Sequence, residues 1–178
     1  MDEKIIVIDN FFEKRDMSEC SKIINNVTWS YGAKSVENDG YRFWSSNLYG
    51  YTSLVKTSID NIHKYFKFKR KFSVLRVHAN GQTYGQDGIF HRDEEKDGYY
   101  TLLVYTSDIT RENIDNIGGF TQFKIDHTIV NVEPFKNRAV FFKSDTLHRG
   151  LGPFRPTDHL RVSIAFKLQE DRTSSLKK

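Results

Sequence analysis

From residue 71 onward the chain is cut into short runs rich in β-branched and aromatic residues. They read KFSVLRVHA, YYTLLVYTS, GFTQFKI, HTIVNVEP, NRAVFFKS and LRVSIAFKL, and turn signals separate them: NGQ, DGIF, NIGG, EPFKN and GPFRP. Runs of this kind are strands. Six or more of them within about a hundred residues predict a sandwich or jelly roll rather than a bundle or a parallel sheet. IIVID, near the start, reads as one more strand. Phe12, Met17, Cys20, Ile23, Ile24 and Val27 then recur at helical spacing. Leu54, Val55, Ile59, Ile62 and Phe66 do so again in SLVKTSIDNIHKYF. The expected class is α+β, a double-stranded β-helix (jelly roll) core with N-terminal helices packed on one sheet. The 178 residues fit one domain. It divides into an N-terminal strand and helices (1–71), a jelly-roll core (72–168) and a polar tail expected to fray (170–178).

With 38% hydrophobic and 28% charged residues, the chain has enough apolar mass for one core and is not a disordered polymer. One cysteine, Cys20, excludes an internal disulfide and a multi-cysteine zinc site. The IIVI run is too short for a secretion signal, and no stretch approaches the roughly 20 apolar residues of a membrane span. A cytoplasmic protein without membrane contact is expected. The net charge of +4 allows a nucleic-acid partner but does not favour one over a solvated lysine-rich surface.

The stretch GIFHRD raises the question of function. In extended backbone, residues two apart share a face, so His91 and Asp93 can reach one ion. An isolated HxD is common and usually binds nothing. His148 follows the strong strand AVFFKS after a short turn, and a late jelly-roll strand can return beside an early one. Two histidines and one carboxylate on one face of a metal leave positions open, the arrangement of non-haem Fe(II) oxygenases. The same three ligands also suit Zn²⁺. Arg161 lies in LRVSIAFK, where alternation puts Arg161, Ser163 and Ala165 on one face. A cation facing the interior is costly unless paired. A bound dicarboxylate would pair it, with Arg161 offering a fork of donors and Ser163 a hydroxyl.

These segments, HRD, YYTLLVYTSD, GGFTQF, AVFFKSDTLHRG and LRVSIAFK, together resemble the Fe(II)/2-oxoglutarate-dependent dioxygenases over roughly residues 72–168. The nearest likeness is to the prolyl 4-hydroxylase-like branch. LRVHANGQTYGQDGIFHRD resembles its strand–Gly–Gln–Tyr–HxD segment, YTLLVYT its Thr-x-Leu-x-Tyr strand, and GGFTQF its Gly-Gly-Glu-Thr-x-Phe turn. The resemblance implies His91, Asp93 and His148 as iron ligands, and Arg161 with Ser163 as partners of the far carboxylate of 2-oxoglutarate. His78 falls where the branch often carries a cosubstrate-binding tyrosine, and Tyr105 is a further cosubstrate candidate. Tyr84, Tyr99, Tyr100 and Arg149 are candidates for the substrate pocket, although a core role suits each aromatic equally. The implied reaction is hydroxylation of an unactivated C–H, a prolyl residue in a peptide or protein by resemblance, with release of succinate and CO₂. Fe(II), 2-oxoglutarate and, as reductant, ascorbate are the implied helpers, and the partner is a peptide or small-molecule substrate.

Three departures bear on the substrate. Arg161 stands where the branch often has lysine, GQDGIF lengthens the segment before HxD, and Phe120 replaces an acid in GGFTQF. A nucleic-acid dealkylase of the same superfamily is the main alternative, with Tyr41, Phe43 and Trp44 as a base pocket. Those enzymes carry a second arginine six residues after the first, where this chain has Lys167. A jelly-roll module that binds metal or ligand without turnover is the other alternative.

Overall fold

The computed structural model describes residues 5–38, 40–67, 69–158 and 160–171. The expected frayed tail therefore lies almost wholly outside the described residues. Its first residue, Glu170, closes the last strand and pairs with Arg70 at 2.6 Å.

Among the described residues, ten strands and three helices follow one another as β1 (Ile5–Ile8), α1 (Lys14–Asn26), β2 (Ser30–Ala33), β3 (Phe43–Asn47), α2 (Thr52–Tyr65), β4 (Phe72–Gln82), β5 (Tyr99–Tyr105), α3 (Ile114–Ile117), β6 (Thr121–Ile125), β7 (Thr128–Val132), β8 (Ala139–Lys143), β9 (His148–Gly150) and β10 (Arg161–Glu170). All pairing is antiparallel, in a seven-stranded sheet ordered β1-β8-β5-β10-β4-β3-β2 and a three-stranded sheet ordered β7-β6-β9. The six expected strands of the core are all present. Among the described residues no helix is long and apolar enough to cross a membrane.

Alternation along the large sheet separates two apolar clusters. One contains Leu102, Val104, Phe141, Ile164 and Phe166 together with Met17, Cys20 and Ile24 of α1 and Leu54 and Ile62 of α2. The other lies between the sheets and holds Leu103, Tyr105, Phe123, Val132, Val140, Phe142 and Ala165. Burial of Cys20 within the first cluster pushes its thiol up to about 12, so it stays a small hydrophobe.

Two details differ from the sequence reading. NGQ is not a turn, because β4 runs straight through Asn80, Gly81 and Gln82. Gly81 serves close approach instead: a Cβ there would meet Leu160 at 2.7 Å and Trp29 at 3.1 Å. Strands β2 and β3 carry no clear apolar alternation and escape the sequence pattern. Their register explains this, since Ser45 and Asn47 stand opposite Asn80 and His78 on the inner face. That face is polar on this side of the sheet, so neither face of β3 announces itself as core.

Candidate metal centre and its pocket

The segment 88–93 leaves the end of β4 and runs beside β9. Gly88 donates to the Gly150 carbonyl at 2.8 Å, His91 and His148 exchange two backbone bonds at 3.0 Å, and Asp93 N–H donates to the Ser144 carbonyl at 2.8 Å. This strap extends the small sheet by one irregular strand and puts the early HxD against the late histidine. The metal-binding atoms of His91, Asp93 and His148 all lie within 4.8 Å of one another. Nε2 of His91 is 3.5 Å from one carboxylate oxygen of Asp93, and Nε2 of His148 is 3.6 Å from the other. Each histidine meets a backbone carbonyl through its other nitrogen, His91 Nδ1 that of Ile89 at 3.0 Å and His148 Nδ1 that of Thr146 at 2.9 Å. With Nδ1 as the donor, Nε2 carries the free lone pair and faces the common point. His148 is also wedged against Phe142 and Phe123, with ring centroids at 4.7 and 5.9 Å.

The protonation states suit a metal. Burial alone would raise the Asp93 carboxyl, but the adjacent Lys167 ammonium, with smaller contributions from the two neighbouring histidines, holds it well below the usual carboxylate range. Lys167 forms an ion pair with Asp93, and Thr101 donates its hydroxyl to the same carboxylate oxygen at 2.6 Å. Lys167 is a residue the sequence reading missed, having entered it only as the absence of an arginine. Its signal was there: strand alternation from Arg161 through Ser163 and Ala165 arrives at Lys167 on the same face.

Arg161 is buried at 3% exposure, and its guanidinium has no carboxylate partner among the described residues. Its Nε donates to the Gly119 carbonyl (3.0 Å), Nη1 to Gln82 Oε1 (3.0 Å) and Ser163 Oγ (3.1 Å), and Nη2 to Thr121 Oγ1 (2.7 Å). All four acceptors are neutral. Burial accordingly lowers the guanidinium from its ordinary value. The GG of GGFTQF makes this cradle. Gly118 and Gly119 both have positive φ (71° and 79°), and a Cβ on Gly119 would meet Arg161 Cγ at 3.0 Å. Tyr105 closes the cradle from beneath, its fully buried ring 5.3 Å from the guanidinium and its hydroxyl donating to Thr121 at 2.7 Å. A buried guanidinium held only by neutral groups is set up for an anion.

Both groups open on one cleft of about 440 Å³. Its lining includes His91, Asp93, His148, Arg161, Ser163 and His78. The cross-strand register orders one wall into rows: Ser45–Asn80–Ser163, then Asn47–His78–Ala165, then Arg76–Lys167. Other expected pocket residues are elsewhere. Tyr84 is 56% exposed, Tyr99 lies near Lys96, and Arg149 is held by Gln122 and lies over Phe90. None of the three lines this cleft. Tyr100 points to the opposite face of the sheet, stacked on Phe141 with Arg70 above it. Phe120, in place of the expected acid, packs on Phe154.

Burial lowers His148 to about 4, and burial with the Lys167 and Arg76 cations lowers His78 to about 3. Both folded values lie below the ordinary 6.5, so the unfolded chain takes up protons first as pH falls. The stability from these groups is full above about pH 6.5 and is lost as pH drops toward about 4. In metal-free protein the slope should approach two protons, about 3 kcal/mol per pH unit at its steepest. Urea unfolding at steps between about pH 7 and about pH 5 checks this. His78→Phe should roughly halve the slope, and a flat profile would contradict the assignment.

No protein-family model matches the sequence, and no curated protein matches it. Solved structures do match in shape. A prolyl hydroxylase from Trichoplax adhaerens, in complex with a hypoxia inducible factor oxygen degradation domain peptide fragment, superposes with a TM-score of 0.74 at 16% identity, over 99% of this chain and 88% of that one. A Pseudomonas putida prolyl-4-hydroxylase gives 0.66 at 15% identity, over 93% and 92%. HygX from Streptomyces hygroscopicus, with nickel, 2-oxoglutarate and hygromycin B bound, gives 0.67 at 10% identity, over 93% and 82%. The chain thus has the jelly-roll fold of the 2-oxoglutarate/Fe(II) oxygenases, prolyl hydroxylases among them.

Proposed function

We propose that the chain is an Fe(II)- and 2-oxoglutarate-dependent dioxygenase. The observation that carries this reading is the pairing of two independent features in one cleft, a His-Asp-His cluster and a buried Arg161 held only by neutral acceptors. A zinc hydrolase site accounts for the first but gives the second no task. When bound, iron with 2-oxoglutarate activates dioxygen, oxidises the cosubstrate to succinate and CO₂, and delivers one oxygen atom to a substrate C–H.

His91 and His148 offer Nε2, and Asp93 offers a carboxylate oxygen. Arg161 with Ser163 takes the far carboxylate of 2-oxoglutarate, and Tyr105 and Thr121 keep the guanidinium aimed. Lys167 and Thr101 fix the carboxylate of Asp93 so that its rotation does not compete with ligation. The two helices, which share an apolar cluster with the outer face of the sheet, are its rigid backing. Rigid elements hold a site more closely than loops do. A prolyl residue in a peptide is the substrate suggested by the resemblance, and it is supported by prolyl hydroxylases among the similar structures.

Succinate release tests the reading. Protein supplied with Fe(II), 2-oxoglutarate and ascorbate should form succinate, with a faster rate when substrate is present. His91→Ala should lose at least about a hundredfold of that rate. A wild-type protein that binds iron yet never turns over 2-oxoglutarate would overturn the assignment.

A further inference from the structure

The charges lining the cleft do not balance. Lys34, Arg76, Arg161 and Lys167 face it, against Asp93 as the one acidic residue among the described lining. A divalent metal and a doubly charged 2-oxo diacid add no net charge, so a surplus of three positive charges remains. Two of the four cations are already employed, Lys167 on Asp93 and Arg161 in its cradle. Arg76 is not. Among the described residues it makes no ion pair, and it stands directly opposite Lys167 across β4 and β10. Directly opposed residues lie about 5 Å apart, so Arg76 is one side chain away from the metal ligand Asp93.

The backbone places Arg76 there by alternation, since Gln82, Asn80, His78 and Arg76 stand in turn opposite Arg161, Ser163, Ala165 and Lys167. The register of β4 on β10 slips at this point, with Lys167 opposite Arg76 but Leu168 opposite Val74, so that Leu75 is an extra residue. Bulges of this kind re-aim side chains and occur beside active sites. Two further donors surround the position. Asn47, beside His78 in the register, has its Oδ1 occupied by the Tyr49 N–H at 2.9 Å, which leaves its amide NH₂ as the available group. His78 Nδ1 is buried in the cleft wall without a hydrogen-bond partner. A cation, an amide NH₂ and an imidazole with an unused nitrogen converge where no acid neutralises them. Ser45 and Asn80 in the next row extend the polar wall.

We propose that the substrate carries an anionic group, a carboxylate or a phosphate, that docks on Arg76 with Asn47 and His78 and so presents a neighbouring C–H to the metal centre. This rests on the dioxygenase reading and narrows its substrate class. A substrate bearing a cation at the same place would meet Arg76 and Lys167 without a counter-charge. A prolyl substrate fits only when an acidic residue or a free carboxylate lies beside the proline.

The test uses the full chain with Fe(II), 2-oxoglutarate and ascorbate. The probes are proline peptides matched in length and flanked by Glu, Gln or Lys, with N-acetylproline and N-acetylprolinamide as a small-molecule pair. Substrate-dependent succinate release should favour the Glu peptide over the Gln peptide, or the acid over the amide, by about tenfold or more in kcat/KM. The two arms tell a flanking side chain from a free carboxylate as the source of charge. Arg76→Gln should remove that preference while leaving the slow succinate release without substrate unchanged. Added salt should shrink the preference in wild type, because Arg76 is exposed. Neutral or cationic probes used as well as anionic ones would overturn the proposal, as would a preference that survives Arg76→Gln. So would a failure of every anionic probe to raise succinate above the rate without substrate. Failure of the dioxygenase reading is a different result: no succinate from 2-oxoglutarate under any condition.

Discussion

Asp93→Ala should abolish metal binding and, in metal-free protein, cost about 3–5 kcal/mol of stability, since removing one partner of a buried pair strands the other. The stranded group is Lys167. Its side chain is 14% exposed and Asp93 is its ion-pair partner. Thr101, at 3.4 Å, is a neutral acceptor at the limit of hydrogen-bond distance. The loss should therefore be conditional on the lysine. Lys167→Met in the Asp93→Ala background should return most of the stability, because no buried charge is then left alone. It should not return metal binding, since the carboxylate ligand is still missing. Urea unfolding of the four proteins of this cycle, in chelator, gives the coupling directly. Equal destabilisation by Asp93→Ala with and without Lys167 would show that the pair does not hold the site together.

Arg161→Met separates the cosubstrate from the metal. The change removes the only cation in the Gly119–Thr121–Gln82–Ser163 cradle and keeps a long apolar side chain above Tyr105. Loss of a charge-assisted bond to a carboxylate in a buried site is worth about 3 kcal/mol, or roughly a hundredfold in kcat/KM for 2-oxoglutarate. Affinity for the metal should be unchanged, because Arg161 touches none of the three ligands. Arg161→Lys should recover only part of the loss, since an ammonium cannot make the same fork of bonds to Gly119, Thr121 and Gln82. Steady-state succinate formation with 2-oxoglutarate varied, beside metal analysis of the same preparations, measures both quantities.

Much of this site is legible in the sequence because its parts sit on regular strands. The i, i+2 face of His91 and Asp93 and the alternation from Arg161 to Ser163 need only extended backbone. So does Lys167, which the same alternation reaches two positions after Ala165. The substrate side of the cleft is harder to read. β3 presents Ser45 and Asn47 inward, so the contrast between polar and apolar faces that marks a strand is lost where the strand lines a polar cleft. Arg76 follows by alternation from Asn80 and His78, but a one-residue slip at Leu75 breaks the alternation that would link it to Phe72 and Val74. NGQ looks like a turn because glycine is ambiguous, and only the crowding of Gly81 by Leu160 and Trp29 shows why it sits in a strand. The tyrosines chosen for the pocket show the reverse error. Tyr84 and Tyr100 are close in sequence to the metal ligands, but loop direction turns Tyr84 to the surface and the pleat turns Tyr100 to the opposite face.

The central claim is that the His-Asp-His cluster and Arg161 serve one chelate of iron and 2-oxoglutarate. Anaerobic titration of Fe(II)-loaded protein with 2-oxoglutarate measures this directly through the visible charge-transfer band of an iron-bound 2-oxo acid. The band should appear with one equivalent of iron per chain, be absent in His148→Ala, and require far more 2-oxoglutarate in Arg161→Met. A wild-type protein that binds one iron and shows no band at saturating 2-oxoglutarate would contradict the account.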